Sequence, residues 1–327
     1  MQSANSLALQ ELNEIRERHK AELEANTAKV RSLAPEYAGI EADMMRAGNS
    51  LLRSVLHGGK DFEKIKSFIE AKQREKLEIL KRLSLPEDFL DEKYDCENCH
   101  DTGFDDNGLK CNCLKELVSK YISINSNMTE LMKSQTFENF DLSLFSPVPD
   151  SSGKAPLDVA KSARDMAKNF AENFDKVQPS NLLLRGNAGT GKTFISSCIG
   201  NLALKRNKTV YYQTSYKLCE LMENVKFGKY ENPDEQQSGY TTIKYINDVD
   251  LLIIDDLGTE FLTQFTAAAI FDLLNTRLLK NKATVISTNL GFEAMEKLYS
   301  QRLTSRIFGE YKIVTLVGSD LRRKSLM

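Results

Sequence analysis

The sequence predicts a doubly wound α/β domain with a parallel sheet, preceded by a mainly helical domain that carries a metal-binding segment. Three observations predict it. From about Thr136 short β-rich runs alternate with amphipathic segments; a glycine-rich loop, Gly186 to Thr193, follows the first of those runs; and four of the six cysteines crowd into Cys96 to Cys113. At 327 residues the chain is longer than one average domain and short for three. With 41% hydrophobic and 28% charged residues it belongs with ordinary globular proteins, away from the disordered and membrane classes. The formal net charge of -2 gives the whole molecule no basic field for gripping nucleic acid, so a DNA contact would need a local patch. The start, MQSANSLALQELNEIRERHK, lacks the basic and apolar regions of a secretory signal, and no apolar run reaches membrane-spanning length. A cytoplasmic protein without membrane contact is expected.

Residues 1 to about 92 mix charges with short apolar groupings such as Ile65, Phe68 and Ile69 at helical spacing, and read as several helices. Breaks are expected at Pro35, at Gly58-Gly59 and at Pro86. Leu114 to Gln135 reads as a polar, helical connector. Five strands are expected beyond it: Asn181 to Arg185, Thr209 to Gln213, Leu251 to Asp255, Thr284 to Thr288 and Lys312 to Leu316. Between the third and fourth, Ile270, Leu273, Leu274, Arg277 and Leu278 share a helical stripe, with the stem of Arg277 able to snorkel.

Gly186-Asn187-Ala188-Gly189-Thr190-Gly191-Lys192-Thr193 reads G-x-x-x-x-G-K-T, between a strand and a helix starting near Phe194. Glycines let such a loop fold back so that backbone N–H groups face phosphate oxygens, while the next helix turns its positive end to the same charge. Lys192 is expected to neutralise the β and γ phosphates of ATP and Thr193 to place its hydroxyl on Mg²⁺. About sixty residues on, four aliphatics end in Asp255-Asp256. Asp255 is the candidate second Mg²⁺ ligand and Asp256 the group that orients or deprotonates the attacking water. The competing reading, a turn at Asp256-Leu257-Gly258, explains the residue types but not two acids after a buried strand. Asn289, at the end of the fourth strand, is a candidate water-positioning sensor.

Cys96, Cys99, Cys111 and Cys113 form a C-x-x-C and a C-x-C pair across a hairpin-like excursion. Four thiolates suit a structural Zn²⁺; His100 is the alternative fourth ligand, and four cysteines are preferred. Cys198 and Cys219 read as ordinary buried thiols.

GNAGTGKT, LLIIDDLG, STN and Gln301 to Ile307 together resemble the AAA+ ATPases of the DnaC/DnaI helicase-loader and IstB group, as does the opening TFENFD at Thr136 to Asp141. The resemblance covers residues 136–327. It implies an AAA+ P-loop ATPase, slow unless assembled, with Arg306 supplied in trans to a neighbour's γ-phosphate and Arg302 as runner-up. It implies no separate lid, since about ten residues remain after Val317, and a terminal motif, Gly318 to Arg322, in which Arg322 senses nucleotide. Arg323 and Lys324 read as a solvated tail. Many AAA+ proteins have Glu where Asp256 stands, which bears on hydrolysis rather than on binding. The cysteine pattern is similar to that of DnaI-type loaders, and implies that residues 1–113 dock on a replicative DnaB-type helicase, with 114–135 a connector and 136–327 the ATPase.

The expected function is therefore delivery of the hexameric helicase onto single-stranded DNA at initiation or restart of replication, as a primosome component that self-associates through its ATPase domain. An IstB-like regulator of transposition target choice is the alternative, and a small-molecule P-loop kinase is disfavoured for want of a lid or acceptor segment. Lys205, Arg206, Lys208, Lys226 and Lys229, with Tyr211, Tyr212 and Phe227 as stacking partners, are the residue groups available for DNA, and none is assigned.

Overall fold

The computed structural model describes residues 2–56, 62–150, 153–176, 180–230 and 232–322; the Gly58-Gly59 break and the Arg323-Lys324 tail lie outside them. The chain divides into two compact units, residues 8–115 and residues 1–7 with 116–327.

The first unit is built from α1 (Ala4–Leu33) from Ala8 onward, α2 (Tyr37–Leu56) and α3 (Phe62–Arg82). Its core gathers Val30, Ala34, Tyr37, Ile40, Ile79, Leu80 and Leu90. Pro35 stands in the turn between α1 and α2. Helix α3 stops before Pro86 through a left-handed Ser84 (φ 56), with Leu85 N–H donating to Leu80 O at 2.9 Å and Ser84 N–H to Lys81 O at 3.0 Å. Ile65 and Ile69 are half-buried on the inner side of α3, whereas Phe68 is 44% exposed.

The second unit contains α4 (Asn112–Asn125) from Glu116 onward, α5 (Glu130–Ser134), α6 (Pro156–Asn173), β1 (Asn181–Arg185), α7 (Lys192–Lys205), β2 (Val210–Thr214), α8 (Ser215–Phe227), α9 (Pro233–Asp248), β3 (Leu251–Leu257), α10 (Gln264–Leu279), β4 (Ala283–Thr288), α11 (Phe292–Leu298), α12 (Gln301–Glu310) and β5 (Lys312–Thr315). The sheet order is β2-β3-β4-β1-β5, and every pairing is parallel. All five expected strands are present within two residues at each end. Residues of alternating side feed two cores, as a strand covered on both faces requires. Leu182, Leu184, Leu251, Ile253 and Val285 pack with α6 and α7, while Leu183, Leu252, Ile254 and Ile286 pack with α8, α10 and α12.

One detail departs from expectation. Arg277 does not snorkel: it is wholly buried, its guanidinium donating to Ile246 O (2.6 Å), Val249 O (3.1 Å), Ala283 O (2.5 Å) and Thr284 Oγ1 (3.1 Å). The last turn of α9, the turn before β3 and the start of β4 present carbonyls there that a planar five-donor group can satisfy together. The segment 116–135 packs inside the second unit. Tyr212 N–H donates to Ser126 O (2.9 Å) and Asn127 Nδ2 to Tyr212 O (2.8 Å), covering the outer edge of β2, and Met128 enters the core. Among the described residues no helical lid follows β5, and no helix is long and apolar enough to cross a membrane.

Candidate functional site

The glycine loop leaves β1 at the carboxyl edge of the sheet. Gly186 N–H donates to Thr288 O at 3.2 Å, and a Cβ on Gly186 would lie 2.5 Å from Leu316 O, so the neighbouring strand ends leave no room for a side chain. Gly189 (φ 74) and Gly191 (φ 94) take the left-handed conformation that turns the loop into α7. Thr190 Oγ1 donates to Asn187 O at 2.9 Å and pins the bend. The amide end of a 14-residue helix thus opens beneath the loop, with Lys192 and Thr193 in its first turn.

Lys192 is 5% exposed, and its ammonium donates to Gly186 O (2.8 Å), Asn187 O (2.8 Å) and Asn289 Oδ1 (2.5 Å). Burial draws its pKa below the usual lysine range; Asp256 and Asp255 act against that shift and Arg322 reinforces it. Asp255, 4% exposed, accepts from Ser287 Oγ (2.5 Å) and from Thr193 Oγ1 (3.1 Å). Adjacent oxygens in an octahedral Mg²⁺ shell stand about 3 Å apart, so this hydroxyl and carboxylate fit the two protein places in such a shell.

Strand β3 runs on to Leu257, past the expected end at Asp255, but its register with β4 breaks between Ile254 and Leu257, and Asp256 has φ 56. Burial, then the charge of Asp255, raise the Asp256 pKa, with Lys192 and Arg322 opposing. A carboxylate so shifted is a better proton acceptor than a solvated one. Leu321 N–H donates to Gly189 O (3.0 Å) and Arg322 N–H to Asp320 Oδ1 (3.0 Å), which seats the terminal strap on the glycine loop.

Lys192, Thr193, Asp255, Asp256, Asn289 and Arg322 therefore converge. Arg302 and Arg306 stand on the exposed face of α12, opposite buried Leu303 and Ile307. Among the described residues neither joins the hydrogen bonds around Lys192 and Asp255. The sequence reading missed Ser287, which sits between Asp255 and the backbone N–H of Asp256 (2.8 Å); a serine two residues before Asn289 carries no signal until β3 and β4 are paired. It also missed Asp320.

Two of the stacking candidates are ruled out by burial: Tyr211 and Tyr212 are 6% and 2% exposed within the sheet. Arg206 and Lys208 both pair with Asp175. Phe227 remains at the surface, edge-on to Phe265.

In the first unit the sulfurs of Cys96, Cys99, Cys111 and Cys113 all lie within 4.8 Å of one another. Tetrahedral zinc thiolates stand about 3.8 Å apart, so the set fits the ion with modest closure. Asp101, wholly buried, holds the first knuckle by accepting from Cys96 N–H (2.8 Å) and Asp95 N–H (3.0 Å). Gly103 N–H donates to Cys99 Sγ at 3.4 Å. Burial and the neighbouring sulfurs push the Cys113 thiol far up, a penalty that a bound cation reverses. His100 is exposed and packs on the Tyr94 ring (centroids 4.4 Å apart), outside the sulfur cluster.

The chain matches the model of the family described as IstB-like ATP binding protein over residues 119–325. It is similar to the replicative helicase loader DnaC of Buchnera aphidicola subsp. Baizongia pistaciae, 26% identical over 202 residues, 61% of this chain and 74% of that one. It is also similar to the insertion sequence IS232 putative ATP-binding protein of Bacillus thuringiensis subsp. berliner, 28% identical over 152 residues, 45% of this chain and 57% of that one. Among solved structures, the crystal structure of the DnaC helicase loader superposes with a TM-score of 0.47 at 15% identity, over 58% of this chain and 100% of that one.

Proposed function

The chain belongs to the IstB-like ATP-binding protein family, and from that premise we propose that it is an ATP-hydrolysing helicase loader, which binds a replicative DnaB-type helicase and helps deliver it onto single-stranded DNA. The observation that carries the nucleotide reading is the Thr193 hydroxyl 3.1 Å from the Asp255 carboxylate, beside a buried Lys192 at the start of α7. In this reading the backbone from Gly186 to Thr193 cradles the triphosphate, and Lys192 exchanges its carbonyl partners for β and γ oxygens. Thr193 and Asp255 hold Mg²⁺, which would neutralise charge on the phosphates. Asp256 takes the proton of the attacking water, and Asn289 orients that water once Lys192 turns to phosphate. Arg322 reads the nucleotide from the terminal strap. Arg306, exposed on α12, reaches the γ-phosphate of a neighbouring copy, so turnover depends on self-association and phosphate loss loosens the assembly.

The domain assignment follows: 1–113 as a helicase-docking, zinc-stapled domain of the DnaI type, 114–135 as its junction, and 136–327 as the AAA+ motor. Support for a loader comes from the four-cysteine cluster ahead of the ATPase and from relatives named helicase loaders. The similarity to an insertion-sequence ATP-binding protein favours a second reading, regulation of transposition target choice. Co-purification separates them. The loader reading expects the full chain to retain the organism's replicative helicase in a nucleotide-dependent manner, with Lys192→Ala losing that dependence; no retention with or without ATP, and retention of a transposase instead, would overturn it.

A further inference from the structure

The geometry points to Glu260 and Tyr299 as positioning residues that clamp the loop following Asp256 to the helix carrying Arg306. This rests on the nucleotide-site reading above and extends it to how the two halves of that site are held together. Glu260, 7% exposed, lies in the turn between β3 and α10. Its Oε2 accepts from Gly258 N–H at 3.0 Å, and its Oε1 accepts the hydroxyl of Tyr299. A carboxylate taken this far from water is held only while its donors stay in place. Burial and the Glu260 charge raise the Tyr299 pKa, which keeps its hydroxyl a donor.

Each partner leads to a different part of the site. Asp256 O, two residues before Gly258, accepts from Ser215 Oγ (2.8 Å) and Thr259 Oγ1 (2.9 Å), and Leu257 O accepts from Thr288 Oγ1 (2.7 Å). Gly258 takes the left-handed conformation (φ 106) and packs on the Leu290 side chain, where a Cβ would stand 2.6 Å from Cδ1, one residue beyond Asn289. The loop is thereby locked to Asp256 and to the end of β4. On the other side Tyr299 N–H closes α11 on Met295 O (2.9 Å), and the next residue, Ser300, caps α12 by accepting from Leu303 N–H (3.3 Å). Breaking the Glu260–Tyr299 bond removes the hydrogen-bonded tie between the Asp256 loop and the residue that precedes the helix bearing Arg302 and Arg306, while their apolar packing stays in place.

The test uses the full chain with Tyr299→Phe, Glu260→Gln and the double variant. Three quantities are read: affinity for a fluorescent ATP analogue, phosphate release against protein concentration, and amide exchange in 258–262 and 301–310. Tyr299→Phe is expected to bind the analogue within about twofold of the parent, to lose about tenfold in kcat with KM unchanged, and to exchange faster in both segments together. Glu260→Gln retains an acceptor for Gly258 N–H and a donor for the Tyr299 oxygen, and so keeps most of the turnover. The double variant is no worse than Tyr299→Phe. Unchanged kcat in Tyr299→Phe, a loss matched by lost affinity, or a loosened loop beside an unaltered α12 overturns the clamp. If the parent chain fails to bind the analogue, the nucleotide reading fails separately, and joint or independent exchange of the two segments decides the clamp. Should Tyr299→Phe not fold, Glu260→Ala, which removes the acceptor of both Gly258 N–H and the Tyr299 hydroxyl, decides it by the same joint exchange against the parent, with equal exchange in 301–310 and faster exchange in 258–262 as the refuting result.

Discussion

Replacing Gly189 with alanine probes the glycine loop where it is tightest. The residue holds φ 74, and a Cβ there would lie 1.8 Å from Asp320 Oδ1 and 2.8 Å from Asp320 Cα. The carboxylate can swing aside. The backbone cannot, because Leu321 N–H is tied to Gly189 O at 3.0 Å, so an added methyl must either lift the terminal strap or bend the loop. The left-handed conformation costs alanine about 1–2 kcal/mol, and release of the strap forfeits roughly one further hydrogen bond, about 1 kcal/mol. Together about 2–3 kcal/mol is set against the binding-competent loop, equivalent to roughly 30- to 150-fold weaker nucleotide affinity. Anisotropy titration with a fluorescent ATP analogue reads this directly, alongside a thermal melt to separate unfolding from lost affinity. Adding Asp320→Ala should recover little, since the Cα approach persists. A folded Gly189→Ala protein that binds within threefold of the parent would refute the argument.

Arg277→Ala should destabilise the second unit by about 3–5 kcal/mol, because carbonyls of Ile246, Val249 and Ala283 lose their donor inside the core while burial lowers the arginine pKa only to about 10, leaving it cationic at neutral pH; urea unfolding followed by circular dichroism checks it, and a loss under 1 kcal/mol contradicts it. Cys99→Ser, or prolonged chelation, should release one zinc per chain and expose residues 96–113 to protease while analogue binding at the glycine loop is retained; elemental analysis and limited proteolysis read both. Asp256→Asn should raise the melting temperature near neutral pH and abolish phosphate release. The folded pKa of Asp256 is raised, so the fold bears a penalty for the ionised form above that pKa, and the penalty vanishes as pH falls below the ordinary aspartate value. The gain should therefore shrink on acidification, and a gain that grows instead shows that the shift has the opposite sign.

Much of the site is legible in the sequence because its chemistry is local. A phosphate loop needs its glycines, lysine and threonine within eight consecutive positions, and a buried parallel strand announces itself as an aliphatic run, so β1 with the loop, β3 with its acids and β4 with Asn289 all carry their signals in short windows. The cysteine quartet is similar: two tight pairs already specify a soft-metal donor set, although only the fold turned His100 aside toward Tyr94 and brought the four sulfurs together.

What the tertiary structure alone decided are matters of long-range register and solvent exclusion. Ser287 meets Asp255 because β3 and β4 lie side by side, and Asp320 meets Gly189 because the strap after β5 returns over the loop. The Arg277 guanidinium satisfies a ring of carbonyls and Tyr212, available in sequence as a stacking partner, stands in a strand covered on both faces. A one-dimensional pattern records which residue types recur and how far apart. It holds no record of which distant backbone groups will need a partner once water has been expelled, and that need is what places a guanidinium at the centre of a core.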